Sequence, residues 1–122
     1  MKFLLLIAHG SRRQSANDEI LQLGERVSAL AEDDFDGVEV AFLELAQPDI
    51  GAGIARCVER GATRIVAVPY FLAGGNHVNR DIPAEIERGC AAFAQLSVEI
   101  ATYPGASDNM AQLVLDCSRQ SR

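Results

Sequence analysis

The sequence predicts an α/β domain built around a parallel sheet. Four short apolar runs, suited to buried strands, alternate with four segments whose apolar residues recur at helical spacing. Strands separated by single helices pair in parallel through right-handed crossovers. The length of 122 residues, without a low-complexity linker or an internal repeat, indicates one domain over residues 1–122.

The first strand and the first helix follow from these patterns. Residues 2–8 form a continuous apolar run, which is typical of a central strand covered on both faces. Residues 15–32 repeat Ile20, Leu23 and Val27 at helical spacing, with acidic residues near the start. The sequence DDFDG that follows indicates a turn.

The second strand, the second helix and the third strand are predicted next. Residues 38–44 form the second strand. Pro48 and Asp49 begin a helix that Gly61 ends, and residues 64–70 form the third strand.

The segment FLAGGNHVNR after the third strand is predicted to be a loop. Two adjacent glycines would destabilise either a helix or a strand at this point. Asp81 and Pro83 are residues typical of a helix start, so a third helix is expected over residues 82–95.

The last elements complete the predicted topology. Residues 97–103 form the fourth strand, Pro104 and Gly105 break it, and residues 107–120 form a terminal helix. The expected result is a three-layer, flavodoxin-like domain with a four-stranded parallel sheet of order 2-1-3-4. Ligands of such sheets bind beyond the carboxyl ends of the strands where the winding reverses, here between strands 1 and 3.

Composition and charge argue against several classes of function. Hydrophobic residues make up 48% of the chain, and the net charge is −6 with scattered basic residues, so a nucleic-acid partner is not expected. The apolar run FLLLIA is too short to cross a bilayer and has no small-residue cleavage site behind it. We therefore expect a cytoplasmic protein without a membrane partner.

The cysteines agree with that location. Cys57, Cys90 and Cys117 are odd in number and widely spaced, each lies in a predicted helix, and none forms a CxxC pair. Reduced thiols in core or half-core positions are the expected state of such residues.

The two histidines are the first candidates for chemistry. His9 follows the first predicted strand, and His77 lies in the loop after the third, so the topology brings both to one rim of the sheet. Imidazole is a common ligand of transition metals. The alternatives are a buried structural histidine at position 9 and a surface-loop histidine at position 77.

Glu44 ends the second predicted strand at the same rim. Its carboxylate is either an anion at the start of the next helix or a third metal ligand. Two imidazoles and one carboxylate leave coordination positions open, which suits a reactive or transferable ion.

An anion-binding group is predicted beside His9. Gly10 allows a sharp turn, and Ser11, Arg12 and Arg13 follow in the same loop. Guanidinium groups pair bidentately with carboxylates and phosphates. The alternatives are a solvated basic pair here and an ordinary helix-start role for Asn17 and Asp18 just beyond.

Several catalytic motifs are absent from the sequence. It contains no GxxxxGK[ST] loop, no GxGxxG after a strand and no GxSxG elbow. Ala8 stands directly before His9, where a histidine phosphatase would carry arginine. A phosphate-ester hydrolase that uses His9 and Arg12 is therefore a weak alternative.

Three segments resemble a known family. LLLIAHGSRRQSANDEI, VEVAFLELAQPDI and VPYFLAGGNHVNRDIPAEI are similar to the class II tetrapyrrole chelatases in their short, single-domain form, the CbiX-type sirohydrochlorin cobaltochelatases and related ferrochelatases. The similarity runs over roughly residues 3–105. It implies a flavodoxin-like, chelatase-like half-domain that pairs as a homodimer, because longer members fuse two such halves.

The resemblance also implies roles for individual residues. His9 matches the first metal-binding histidine and proton acceptor, His77 matches the second, and Glu44 matches an acidic residue beside the metal or the substrate. The segment Phe71, Leu72, Ala73, Gly74, Gly75 and Asn76 matches the loop that lines the macrocycle. With Ser11 and Arg12 from the loop after the first strand, these are the expected substrate-binding residues. Asn76 departs from the family, which more often has a basic residue there.

The expected function is therefore insertion of Co²⁺, Fe²⁺ or Ni²⁺ into sirohydrochlorin or a related tetrapyrrole without ATP. The metal is a substrate, and no permanently bound cofactor is expected. The alternatives are a non-catalytic carrier of metal or tetrapyrrole and a structural α/β module that only dimerises.

Overall fold

A computed structural model describes residues 1–120 and contains four strands in one parallel sheet of order β2-β1-β3-β4. The strands are β1 (Lys2–Ala8), β2 (Gly37–Phe42), β3 (Arg64–Pro69) and β4 (Ser97–Ile100). The helices are α1 (Gln14–Ala31), α2 (Ile50–Glu59), α3 (Ile82–Cys90) and α4 (Met110–Ser118). A π-helical turn spans His77–Asp81, and a 3-10 turn spans Pro104–Ala106. The predicted fold class and strand order are confirmed.

Two apolar clusters hold the sheet between its helices. On one face, α2 and α3 pack over the alternate side chains Phe3, Leu5 and Ile7 of β1, which are at most 1% exposed. On the other face, α1 packs over Leu6, Ala8, Val40 and Phe42. Alternate residues of a strand point to opposite faces, so the continuous apolar run of β1 serves both clusters.

The second predicted strand begins one residue late and ends two residues late. β2 ends at Phe42, and the chain then bends, with Leu45 at a positive φ of 66°. Asp49 caps α2 as expected, because its Oδ1 accepts a hydrogen bond from the backbone N–H of Ala52 at 2.8 Å.

The loop predicted after the third strand is wrong over its second half. His77–Asp81 is already helical and runs directly into α3. The adjacent glycines, Gly74 and Gly75, lie before this turn, so they interrupt only the first half of the predicted loop.

The predicted third helix, fourth strand and terminal helix are each too long. α3 ends at Cys90, because residues 91–96 form turns that seat Phe93 and Leu96 against the core. β4 ends at Ile100, whose partner Ala67 is the last residue of β3 that pairs with β4. α4 runs over Met110–Ser118, since residues 107–109 form a bend and a turn before it.

The three cysteines lie in helices and are free thiols. Cys57 is buried, Cys90 is half-buried and Cys117 is exposed, so only the last departs from the expected core or half-core environment. Within residues 1–120, no helix has both the length and the apolarity needed to cross a membrane.

Candidate functional site

Both histidines lie at the carboxyl rim of the sheet. His9 directly follows β1, and His77 opens the π-helical turn that follows the loop after β3. Their ring centroids are 4.8 Å apart, and the ring planes are inclined by 43°. The structure thus brings together two imidazoles that are 68 positions apart in the sequence.

Backbone pairing beyond the end of β2 carries Glu44 to His9. The N–H of Leu43 donates to the carbonyl of Ala8 at 2.8 Å, and the N–H of Glu44 donates to the carbonyl of His9 at 3.0 Å. The Oε1 atom of Glu44 lies 3.2 Å from Nε2 of His9. The side chains are 43% exposed for His9 and 54% for Glu44, so solvent and a ligand can both reach this pair.

Gly10 makes this close approach sterically possible. Its φ is +97°, and a Cβ atom there would lie 1.8 Å from the backbone carbonyl oxygen of Glu44. Any larger residue would have to push the two strand ends apart.

Asp81 orients His77 and was missed as a site residue, because it was interpreted only as a helix start. Nδ1 of His77 and Oδ2 of Asp81 are 2.9 Å apart. A carboxylate only accepts hydrogen bonds, so Nδ1 carries the proton and Nε2 keeps a lone pair for a metal. The spacing of four residues within a helical turn was the available signal.

The loop before His77 offers an apolar surface. Phe71 packs against the core, and its ring centroid lies 6.3 Å from that of His77, with the planes inclined by 29°. Leu72 is 73% exposed. Residues 73–76 are also exposed, and Gly75 has a φ of +154°.

Ser11 is fixed by a buried asparagine. Oδ1 of Asn17 accepts from the N–H of Ser11 at 3.0 Å, and Nδ2 of Asn17 donates to the carbonyl of Ser11 at 2.8 Å. Asn17 is 4% exposed, so the alternative of an ordinary helix-start role is wrong for this residue. Arg12 and Arg13 are exposed in the same loop.

A cavity of about 460 Å³ opens on the α1 side of His9. Its wall includes Ser11, Asn17, Ile20, Leu23 and Tyr70. Across residues 1–120, no three His, Cys, Asp or Glu side chains are arranged as a ready-made metal site. What the structure offers a metal is an exposed pair of imidazoles with a carboxylate against each ring.

Two curated relatives resemble this chain over much of its length. It is 34% identical over 116 residues, 95% of the chain, to the sirohydrochlorin ferrochelatase of Priestia megaterium. It is 39% identical over 83 residues, 68% of the chain, to the sirohydrochlorin cobaltochelatase of Methanocaldococcus jannaschii. The matches cover 43% and 57% of those proteins, so this chain spans about half the length of the curated relatives it matches.

A solved structure has the same fold. The sirohydrochlorin chelatase SirB from Bacillus subtilis subspecies spizizenii, in complex with cobalt, superposes with a TM-score of 0.86 at 30% identity. The superposition covers 97% of this chain and 50% of the SirB chain.

The family model named CbiX matches residues 3–121. That match includes both histidines, Glu44 and the loop that leads to His77. Since it takes in nearly the whole sequence, the chain belongs to the CbiX family.

Proposed function

We propose that this protein inserts a divalent metal ion, Co²⁺ or Fe²⁺, into sirohydrochlorin or a related tetrapyrrole without ATP. The observation that carries the proposal is the pair of rings of His9 and His77, whose centroids are 4.8 Å apart at the open rim. Relatives that act as ferrochelatase and cobaltochelatase support the same reaction and both metals. Ni²⁺ also accepts imidazole ligands and belongs in the same test.

The two imidazoles hold the incoming ion. Bonds from a metal to imidazole nitrogen are about 2 Å long for Zn²⁺ and similar for its neighbours, so rings this close can share one ion. Nε2 of His77 is free for that bond, because Asp81 engages Nδ1. Two protein ligands leave the other positions to water and to the macrocycle, which lets the ion move on.

Proton removal is the second task of the site. Two pyrrole N–H protons must leave as the metal enters the ring. His9 can accept one of them once the ion has left its imidazole. Glu44, 3.2 Å from Nε2 of His9, is positioned to stabilise the resulting imidazolium or to take up the second proton.

The macrocycle is seated by the loop over residues 71–76. Leu72 is 73% exposed and supplies apolar surface at the rim. The ring of Phe71 stacks near that of His77, with 6.3 Å between their centroids. Ser11 and Arg12 lie across the rim in the loop after β1, where the guanidinium can pair with substrate carboxylates. Positioning of metal and ring supplies most of the rate enhancement, since the reaction needs no energy source.

We further propose that residues 1–122 form one domain that pairs with a second copy in the cytoplasm. SirB is covered by this chain over 50% of its length, so two copies correspond to one SirB chain. The three free thiols fit a reducing compartment.

Absorption spectroscopy tests the proposed function. Sirohydrochlorin in excess over protein is mixed with Co²⁺, Fe²⁺ or Ni²⁺ in turn, and the spectral change of metal insertion is followed. We expect multiple turnovers with at least one metal, and a loss of about a hundredfold or more in His9→Ala and in His77→Ala with the fold intact by circular dichroism. Ser28→Ala, an exposed position on α1, is the matched control.

The same experiment separates the enzyme from a carrier. A carrier of metal or tetrapyrrole would give one stoichiometric spectral change per protein and then stop. Wild-type turnover in His9→Ala would contradict the role assigned to this imidazole.

A further inference from the structure

Leu45 has a backbone conformation that leucine rarely adopts. Its φ is +66°, in the left-handed region where the Cβ atom of any residue but glycine is crowded. Within residues 1–120, the other non-glycine residue with a positive φ is Glu32, which follows the last residue of α1. Positive φ values are common where helices end, so the position of Glu32 is accounted for. Leu45 lies in a bend that follows a strand.

The bend at Leu45 carries the chain over the rim of the sheet. Leu43 packs against the apolar cluster that α2 and α3 cover, whereas Ala46 packs against the cluster on the α1 face. The chain therefore crosses from one face of the sheet to the other within three residues. A hydrogen bond from the N–H of Phe42 to the carbonyl of Pro48, at 2.8 Å, closes the base of this bend. A positive φ suits so sharp a crossing, but a leucine side chain does not.

Glycine takes the comparable positions in the other loops at the rim. Gly10 has a φ of +97° and Gly75 a φ of +154°. A glycine at position 45 would adopt the same backbone conformation without crowding. The chain has leucine there instead, and Leu45 is 50% exposed, so much of its apolar surface remains in water. Residues held in unfavourable backbone conformations cluster at ligand-binding sites.

Leu45 lies beside the candidate site. It directly follows Glu44, whose N–H donates to the carbonyl of His9 at 3.0 Å. The Oε1 atom of Glu44 also lies 3.2 Å from Nε2 of His9. A bulky apolar side chain that is kept in water next to this carboxylate is explained by a ligand with an apolar surface.

Two other large apolar side chains are exposed at the same rim. Tyr70 and Leu72, 38% and 73% exposed, follow β3, while Leu45 follows β2. The sheet order β2-β1-β3 places His9, which follows β1, between these loops. Two strand spacings, about 10 Å, separate β2 from β3. Apolar surface therefore flanks the site on both sides, an arrangement that suits a broad, flat ring.

We propose that Leu45 contacts the tetrapyrrole directly and helps to hold the ring over the histidines. Leu45 and Leu72 pack against the macrocycle from opposite sides of His9, which leaves the peripheral carboxylates of the substrate to Arg12. This inference rests on the proposed chelatase function and adds a substrate contact outside the loop over residues 71–76. Leu45 selects for the apolar ring and has no part in holding the metal, because its side chain has no metal-binding atom.

Titration of the protein with sirohydrochlorin in the absence of metal, followed by absorption, tests the contact. Leu45→Gly removes the apolar side chain and is compatible with the positive φ. We expect its dissociation constant for sirohydrochlorin to be about tenfold higher than that of the wild type, the loss that corresponds to half of a leucine side chain. Its dissociation constant for Co²⁺ should be unchanged.

Two further substitutions separate apolarity from shape. Leu45→Met keeps a long apolar side chain and should bind sirohydrochlorin within about twofold of the wild type. Leu45→Asn has nearly the shape of leucine and tolerates a positive φ, but it is polar and should lose as much affinity as Leu45→Gly. In the insertion assay, Leu45→Gly and Leu45→Asn should raise KM about tenfold and lower kcat by less.

Measurements of stability distinguish this contact from a structural role. Leu45→Gly relieves the crowded backbone, so its midpoint of unfolding in urea should equal or exceed that of the wild type. Glu32→Gly is the matched control, since it relieves a positive φ at the far end of α1, away from the rim. It should likewise keep or raise the midpoint, and its affinity for sirohydrochlorin should be that of the wild type.

The outcomes separate this inference from the function on which it rests. A lower urea midpoint in Leu45→Gly would overturn the inference, because the leucine would then be there to stabilise the fold. An unchanged affinity for sirohydrochlorin in that variant, or a wild-type protein that does not bind sirohydrochlorin, would also overturn it. Wild-type binding of sirohydrochlorin without metal insertion would instead contradict the proposed function and leave the contact of Leu45 standing.

Discussion

Among the described residues, a single side-chain hydrogen bond orients the ring of His77. Asp81 lies one helical turn further on and accepts a hydrogen bond from Nδ1 at 2.9 Å. This contact fixes the ring tautomer and leaves a lone pair on Nε2, the atom proposed above to bind the metal. His77 is 50% exposed, so the surrounding packing restrains its ring only in part and the hydrogen bond has a correspondingly large share in orienting it.

Replacing Asp81 with asparagine should therefore weaken metal binding without unfolding the protein. An amide can donate to Nδ1, which favours the opposite tautomer and puts a proton on Nε2. We expect the dissociation constant for Co²⁺, measured by isothermal titration calorimetry, to rise about 10- to 100-fold in Asp81→Asn.

Asp18→Asn is the matched control for this substitution. Asp18 accepts from Gln14 at 2.9 Å across the same four-residue spacing, on exposed helix α1. An unchanged Co²⁺ affinity in Asp81→Asn, or an equal loss in Asp18→Asn, would refute the role of Asp81.

Sequence reasoning found the candidate residues whose place is set by the order of the strands. It missed those whose role depends on side-chain hydrogen bonds. His9, His77 and Glu44 follow strands of the sheet, so topology alone predicts their neighbourhood. Asp81 and Asn17 act through side-chain geometry, which residue type does not determine. Both are common at helix starts, and only their hydrogen bonds to His77 and Ser11 distinguish them from ordinary helix-start residues.

At the level of secondary structure, the site is built by two strand ends that stay together beyond the sheet. β2 ends at Phe42, yet backbone hydrogen bonds continue to Leu43 and Glu44. Gly10 is the point of closest approach, with a φ of +97°. The separation of His9 from Glu44 is therefore set by backbone contact, and side-chain packing has little part in it.

Gly10→Ala should destabilise the fold and disrupt the site together. The left-handed backbone conformation costs a non-glycine residue about 1–2 kcal/mol, and the new Cβ would also displace the carbonyl of Glu44. We expect the free energy of unfolding in urea to fall by at least about 2 kcal/mol. The rate of metal insertion should fall as Glu44 moves away from His9.

Gly75→Ala separates backbone strain from the loss of this contact. Gly75 also has a positive φ, +154°, but nothing lies within 4 Å of a Cβ placed there. Its substitution should therefore cost less stability than Gly10→Ala. The reverse order would show that the contact with Glu44 contributes little.

The boundaries of the elements were harder to predict than their order. The apolar runs predict where a buried strand or helix passes, because burial has a regular period. They do not predict where it stops, which depends on local contacts such as the turns that seat Phe93 and Leu96 after α3. The helical turn at His77 was missed for the same reason, since the adjacent glycines before it favour a loop.

For the molecule as a whole, the order of the strands determines where chemistry can occur. β1 and β3 are neighbours in the sheet but lie on either side of the reversal in winding, so the loops after them open a crevice. Both histidines lie there. An alternation of strands and helices in the sequence was sufficient to predict this arrangement. The exposure of α4, none of whose residues is buried, could not be predicted, because an apolar pattern at helical spacing does not show what covers the helix.

Binding of metal to the folded protein should be detectable far from the rim, at Cys57. Cys57 belongs to α2, and its thiol points into the core. Burial, with a smaller contribution from the charge of Glu39, raises the pKa of this thiol to about 12. It is protonated at neutral pH and inaccessible, so iodoacetamide can modify it only when the protein opens. A ligand at a hundred times its dissociation constant lowers the open population about a hundredfold.

We therefore expect Co²⁺ at that concentration to slow alkylation of Cys57 about a hundredfold, with the modified peptide measured by mass spectrometry. The exposed Cys117 should react at the same rate with and without the metal. The double variant His9→Ala and His77→Ala should lose the protection of Cys57. Because the two imidazoles are the only site residues changed, protection that persists in this variant would locate the metal elsewhere in the fold.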